Sequence, residues 1–272
     1  MARFDGDVID RGEYIVVRRP GNPSDFWGNY LLFDRPPRAC DVDADHPESW
    51  LALFDREIGR AGGHVLLVWE GEQGDSVDPS RAGEAMLGDA EAIVVADPTW
   101  ELDRSVILTG DAVHPPPRWN TDLQIAPVVA EEGWRDAARV LVEAFSPRAR
   151  GGGVRTFVER QIARYRRMVE ARRGVWFGGA LDGRMVGTLG IFVDGDVARF
   201  QLVGTSPSHA KRGVAGAMVH HAARFALSTL GAREVVIAAD ATYHAARVYE
   251  SIGLRPREAT YGLLRAAPRR TE

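Results

Sequence analysis

The spacing of apolar residues divides the chain into two series of elements. In the first, residues 13–18 (Glu-Tyr-Ile-Val-Val-Arg) predict a strand, and 27–33 a second apolar segment beyond the turn cluster Arg19-Pro20-Gly21-Asn22-Pro23-Ser24. A loop with Pro36-Pro37 leads to a helix over about 47–60, with Trp50, Phe54 and Ile58 on one face. Gly62-Gly63 ends it, and 64–69 predicts a strand. A short helix over about 79–87 stops at Gly88, and 90–96 reads as another strand.

Gly110-Asp111-Ala112-Val113-His114-Pro115-Pro116-Pro117-Arg118 breaks the pattern. Three successive prolines predict a semi-rigid spacer rather than core, so the domain boundary is expected here. The expected division is 1–110, a linker over 111–121, and 122–272.

The second series begins with a strand over 123–128 and a helix carrying Trp134, Ala137, Ala138, Leu141 and Phe145. Gly151-Gly152-Gly153 opens a second helix with Phe157, Ile162, Tyr165 and Val169 among many arginines. Strands over 175–181 and 185–193 are joined by Asp182-Gly183 in a hairpin turn. From 197 to 206 Phe200 and Leu202 alternate with Gln201, Val203 and Thr205. After Pro207 the spacing becomes helical, through Val214, Met218, Ala222 and Phe225. Residues 234–239 are almost wholly apolar, as in a strand covered on both faces. A helix over about 242–252, capped by Gly253, and a strand over 259–264 close the chain.

The turn Ser208-His209-Ala210-Lys211-Arg212-Gly213-Val214-Ala215-Gly216 joins a strand to a helix. It would aim free N–H groups outward from a helix N-terminus, beside two cationic side chains. That is a site for phosphate.

Composition narrows the class. At 272 residues, 45% hydrophobic and 26% charged, the chain reads as ordinary globular protein with room for one large domain or two small ones. A net charge of −4 gives no general basic footprint for nucleic acid. Cys40 is the single cysteine, which excludes an internal disulfide and a cysteine-rich metal site. The first residues carry no apolar signal core, and no later run is long enough to span a bilayer. These features predict a cytoplasmic protein without membrane or nucleic-acid partners.

The stretch 197–218 resembles the acyl-CoA-binding signature of the GNAT superfamily of N-acetyltransferases, whose loop reads Gln/Arg-x-x-Gly-x-Gly/Ala. Here Ala210-Lys211-Arg212-Gly213-Val214-Ala215 supplies the glycine and the final small residue, with Ala210 in place of the leading Gln/Arg. The order of elements over the last 150 or so residues is also similar to a complete GNAT domain. The resemblance implies an α/β (α+β) fold with a mixed, mostly antiparallel central sheet flanked by helices. Strand 64–69 and Ala85-Met86-Leu87-Gly88-Asp89 echo 234–239 and Glu250-Ser251-Ile252-Gly253-Leu254, which suggests a tandem arrangement with a degenerate first half. At the place of the phosphate loop that half offers Asp34-Arg35-Pro36-Pro37-Arg38-Ala39-Cys40-Asp41. Prolines lack N–H groups and carboxylates repel phosphate, so this half is expected to be silent toward CoA.

The resemblance also implies roles for individual residues. The backbone around Val203, Gly204 and Thr205 would pair with the cofactor amide and polarise the thioester carbonyl. The backbone from Arg212 through Gly213, Val214 and Ala215 to Gly216 would hold the pyrophosphate, with the Lys211 and Arg212 side chains on the CoA phosphates. His244 and Arg247 stand where many relatives place asparagines against pantetheine. Ala245-Ala246-Arg247-Val248-Tyr249-Glu250-Ser251-Ile252-Gly253-Leu254 is similar to Ala-x-x-Leu-Tyr-x-x-x-Gly-Phe, whose tyrosine protonates the leaving thiolate. A thiol of pKa ~8.5 can take a proton from a phenol of pKa ~10 held against it. Tyr249 also fits an apolar stripe with Ala245, Val248 and Ile252, so a packing role stays open.

His220 and His221 do not share a helix face and lack ligand-spaced partners, so no metal is expected. Glu143 and Asp240 are the carboxylates nearest a general-base role, and neither is assigned to it. The expected activity is transfer of an acetyl group from acetyl-CoA to a small-molecule or peptide amine by direct attack on the thioester. The alternative is a non-catalytic acyl-CoA-binding sensor or interaction protein. Homo-oligomerisation is left open.

Overall fold

A computed structural model describes residues 2–60, 63–74, 77–78, 83–148, 153–241 and 244–266. Contacts group the chain into two compact units. One holds Met1–Ile107, Asp240–Tyr243 and Pro256–Glu272, and the other Leu108–Ala239 and His244–Arg255.

In the first unit, strands β1 (Asp7–Asp10), β2 (Tyr14–Arg18) and β3 (Tyr30–Phe33) pair antiparallel in turn. Helix α1 (Trp50–Glu57) then crosses to β4 (His64–Gln73), which pairs parallel with β3 through Leu31↔Leu67 and Phe33↔Trp69. Two short helices, α2 (Glu84–Leu87) and α3 (Ala90–Ala96), precede β5 (Trp100–Gly110). The core gathers Val16, Leu31, Phe54, Leu67 and Trp69, with the Phe33 and Trp50 rings stacked 3.7 Å apart.

In the second unit, β6 (Gln124–Pro127), α4 (Glu131–Phe145) and α5 (Val154–Glu170) precede the antiparallel run β7 (Gly174–Leu181), β8 (Arg184–Asp194) and β9 (Val197–Thr205). Helix α6 (Val214–Ser228) leads to β10 (Glu234–Asp240), which lies parallel to β9. The six-residue α7 (Ala245–Glu250) completes this unit, and the chain's last strand, β11 (Arg255–Ala266), falls from Pro256 onward with the first. Trp176, Phe177, Leu141, Met168 and Phe192 fill this core. Thr188 takes the Trp176 indole N–H at 2.7 Å and donates to the Phe177 carbonyl at 2.9 Å, so the polar atoms there are paired. The fold is mixed α/β, and its described strand pairings are antiparallel except β3 with β4 and β9 with β10.

The structure departs from several expectations. Residues 90–96 form a helix, not a strand. Their buried positions, Ala90 and Ile93, are three apart while Val95 is 83% exposed, which is a helical period. Strand β5 is masked in the sequence by its mixed polarity, Glu-Leu-Asp-Arg-Ser. Strand β1, four residues with an exposed Asp at each end, is equally silent. The last strand is longer than 259–264, and it pairs antiparallel with β4 through Tyr261↔Trp69 and Leu263↔Leu67. A single cut at 111–121 therefore does not describe the units, because residues beyond 255 fall with the first. The expected start of the short helix near 79 and of α7 at 242 lie outside the described residues.

Candidate acyl-donor site

The site is built where β9 stops pairing with β10. Their parallel register runs from Val197↔Glu234 to Arg199↔Val236. Beyond Arg199 the register with β8 also slips. Gly190 faces Gln201 and Thr188 faces Gly204, so Leu202 and Val203 together oppose one residue. Leu202 takes a φ of +47°, a left-handed conformation that a leucine adopts only under constraint. This is a β-bulge, which bends the strand and turns backbone groups out of the ladder. Val203, Gly204 and Thr205 come directly after it. Gly204 is buried, and a Cβ there would stand 2.8 Å from the Leu141 side chain on α4, so a larger residue would push that side chain aside.

At the strand's end Ser206 is anchored twice. Its N–H donates to the Val186 carbonyl at 2.8 Å, and its hydroxyl donates to the Glu143 carboxylate at 2.7 Å. That hydroxyl, and then Arg139 at 3.0 Å, holds the Glu143 carboxyl below its ordinary pKa. Glu143 is a carboxylate tied to its neighbours, which fits a brace between α4 and β9 better than a general base.

A single 3-10 turn, Pro207–His209, leads into the loop. Lys211 (φ +60°) and Gly213 (φ +78°) are both left-handed. Helix α6 then starts with no side-chain cap. Its first backbone bond runs from the Ala217 N–H to the Gly213 carbonyl at 3.1 Å, so Val214, Ala215 and Gly216 precede the helical ladder. Lys211 and Arg212 are exposed beside them. Uncapped amides, the positive end of a 15-residue helix and two cations form a donor set that fits a pyrophosphate.

On the other flank, α7 begins at His244, which is exposed and makes no side-chain cap. Tyr249 is 7% exposed and Ile252 fully buried, so the tyrosine does belong to a packed stripe. Val248 reaches the first turn of α6, 3.8 Å from where a Gly216 Cβ would lie. The structure thus brings the Lys211–Gly216 loop and α7 together in one unit.

The proline-rich segment is not a free spacer. The His114 N–H donates to the Ile252 carbonyl at 3.0 Å, and Pro116 is buried, 3.1 Å from the position of a Gly216 Cβ. The Arg118 guanidinium donates to the Lys211 carbonyl, and the Asn120 amide donates to the Arg212 carbonyl at 2.9 Å. Trp119 meets the His220 ring edge-on at 5.3 Å. Burial holds the pKa values of His220 and His221 below the ordinary histidine value. Sequence reasoning misses these contacts. The run Arg118-Trp119-Asn120 directly after three prolines is the available signal for a docked segment.

Residues 138–254 match the model of the Acetyltransferase (GNAT) family. That stretch is similar to a GNAT domain and spans less than half of the chain. The whole fold has counterparts among solved structures. A GCN5-related N-acetyltransferase from Kribbella flavida superposes with a TM-score of 0.60 at 14% identity, over 98% of this chain and 92% of that one. A functionally unknown conserved protein from Staphylococcus epidermidis reaches 0.65 at 14% identity, over 97% and 95%. A tandem GNAT protein from the clavulanic acid biosynthesis pathway gives 0.54 at 14% identity, over 94% and 78%. These likenesses are of fold. No curated protein sequence matches the chain. Among the described residues no group of three or more His, Cys, Asp or Glu is placed to hold a metal, and no helix is long and apolar enough to cross a membrane.

Proposed function

We propose that the protein is an N-acetyltransferase that moves an acetyl group from acetyl-CoA to an amine, with one donor site per chain, built by its GNAT domain. The carrying observation is the uncapped N-terminus of α6 behind a β9 that bulges and parts from β10. The amides from Arg212 to Gly216 would hold the pyrophosphate, with Lys211 and Arg212 adding charge. The β9 backbone at Val203 to Thr205 would meet the pantetheine amide and the thioester carbonyl. His244 would stand at the pantetheine's edge. The acceptor is a small-molecule or peptide amine. Its nitrogen forms the new bond to the carbonyl carbon and loses a proton to solvent, while the acyl–sulfur bond breaks and the Tyr249 hydroxyl protonates the departing thiolate. Cytosol is the compartment this chemistry suits.

Release of free CoA from acetyl-CoA across a panel of amines tests the reading. Amine-dependent release at a steady rate supports catalysis. Tight acetyl-CoA binding without release for any amine would replace the enzyme with an acyl-CoA sensor.

A further inference from the structure

The geometry points to Arg118 and Asn120 as positioning residues that hold the Lys211–Gly213 turn in its anion-binding shape, an inference that rests on the phosphate-loop reading above. The turn is not favourable on its own. Lys211 carries a side chain at φ +60°, a region that costs a non-glycine residue on the order of 1 kcal/mol. Ala210 has no polar side-chain atom with which to fasten it, and the helix beyond the turn has no side-chain cap.

What fastens it comes from outside the loop. The Arg118 guanidinium donates to the Lys211 carbonyl, and the Asn120 carboxamide donates to the Arg212 carbonyl at 2.9 Å. The Arg118 backbone lies so close that a Cβ on Gly213 would meet its carbonyl oxygen at 2.7 Å. Glycine at 213 is thus required twice, for its φ and for this approach.

The direction of these bonds decides what they do. In a planar trans peptide the carbonyl of one residue and the N–H of the next point to opposite sides. Donors seated on the Lys211 and Arg212 carbonyls therefore stand behind the amides of Arg212 and Gly213. Those two N–H groups face away from the brace. A segment that covered the anion site would instead accept hydrogen bonds from these amides, and among the described contacts it makes none there. Pro116 against Gly216 and Trp119 against His220 seat the brace on α6, just beyond the turn. Arg118 also brings a third cation to a loop that already carries Lys211 and Arg212, which an anion there would feel at short range.

The test uses the full chain with Arg118→Ala, Asn120→Ala and the double variant, titrated calorimetrically with acetyl-CoA and with S-acetylpantetheine, which lacks the pyrophosphate. Arg118 is exposed and Asn120 only partly buried, so folding should survive, and Arg118→Lys serves as a gentler probe. Each alanine should weaken acetyl-CoA about three- to tenfold, and the pair more than either, as expected for lost hydrogen bonds to a binding loop. S-acetylpantetheine binding should hold. Arg118→Lys should recover part of the loss, and KM for acetyl-CoA should rise with little change in kcat.

Parental affinity in the double variant overturns the brace. Tighter binding overturns it too, since the segment would then be a cover. Equal loss toward S-acetylpantetheine overturns it in favour of general damage. Gly213→Glu run in parallel separates the premises. If that variant still binds acetyl-CoA, the phosphate-loop reading itself has failed. If it loses binding while the Arg118 and Asn120 variants keep theirs, only the brace has failed.

Discussion

Each unit contains one helix that comes after a strand and leads back to a second strand lying parallel to the first, and the two helices begin in different ways. In the first unit 16 residues separate β3 from α1, and they satisfy themselves. Ser49 caps α1 by accepting the Ala52 N–H at 3.2 Å. The Asp41 carboxylate takes the Arg38 N–H at 2.7 Å and the Arg35 guanidinium at 2.6 and 2.9 Å, and Asp89 takes the Ala39 N–H at 2.9 Å. In the second unit only eight residues lie between β9 and α6, no side chain caps the helix, and the loop contains no carboxylate to turn back on it. The same strand–helix–strand plan therefore appears once with its anions built in and once without. The Arg38 and Ala39 amides of the first loop already face Asp41 and Asp89, which leaves fewer donors for a phosphate there, whereas the first turn of α6 has no side-chain cap.

The largest effect should come from filling the open loop with the kind of group the other loop already contains. Gly213→Glu adds negative charge, a disfavoured φ and a contact with the Arg118 carbonyl, all at once. Acetyl-CoA binding should be lost by more than about 100-fold. Calorimetry should find one site in the parent and none in the variant. Two equivalent sites in the parent would end the contrast between the units.

Tyr249→Phe comes next. The ring stays in its packed stripe, so stability should change little. Losing the hydroxyl should lower kcat by about 10²-fold, the low end for general acid catalysis because water substitutes in part, with acetyl-CoA affinity nearly unchanged. An unchanged kcat would make Tyr249 a packing residue. A loss of affinity instead would give it a part in holding the donor.

How far the sequence reaches depends on the same contrast. The Gly213-Val214-Ala215 loop, the strand before it and the helix after it are legible because each rests on local chemistry: a proline stop, a glycine that must turn left-handed, a change of period. What is not legible depends on partners distant in the chain. The pairing of β11 with β4 links residues nearly 200 apart, and nothing local to Thr260 or Tyr261 encodes it. Strand β5 carries near its start the half-buried run Glu101-Leu102-Asp103-Arg104, which shows no apolar alternation. The three prolines predict a spacer because proline removes N–H donors, yet the same rigidity presents Arg118 and Asn120 to carbonyls some 92 residues away. The bulge at Leu202 has no sequence signature, since leucine is a poor left-handed residue.

A pH effect should also belong to the second unit. Burial depresses the pKa of both His220 and His221, so the folded state holds fewer protons than the unfolded chain once the pH nears the unfolded value of about 6.5. Above that value both states are neutral and nothing is lost. Below it the unfolded chain gains protons first, and stability falls by at most about 1.4 kcal/mol per pH unit for each histidine. Denaturant unfolding at several pH values between about 5 and 8 checks the sign, and His220→Gln should flatten the slope. Stability that rises toward pH 5 would contradict the burial argument.

The smallest effect is expected where the first unit's helix is already closed. Ser49 is 1% exposed, and its hydroxyl accepts the Ala52 N–H while its carbonyl accepts the Leu53 N–H at 2.9 Å. Ser49→Ala keeps the carbonyl bond and removes only the side-chain one, leaving the Ala52 amide without its cap. Loss of such a cap costs about 1 kcal/mol, with a range of roughly 0.5–2. Helix α1 has only eight residues, so it has little propensity of its own to absorb the loss and leans on Trp50, Leu51 and Phe54 in the core. The cost should therefore appear in calorimetry as a lower unfolding temperature, not as local fraying alone. Acetyl-CoA affinity and kcat should match the parent, because the cap stands outside the proposed donor site. The informative comparison is an added phosphate or sulfate series. If the vacated Ala52 amide let millimolar anion restore the lost stability in Ser49→Ala but had no such effect on the parent, the two helix starts would differ only by one hydroxyl. If anion restores nothing, the carboxylates of Asp41 and Asp89 keep the first loop closed even without its cap, and the contrast between the two helix starts rests on more than a single residue.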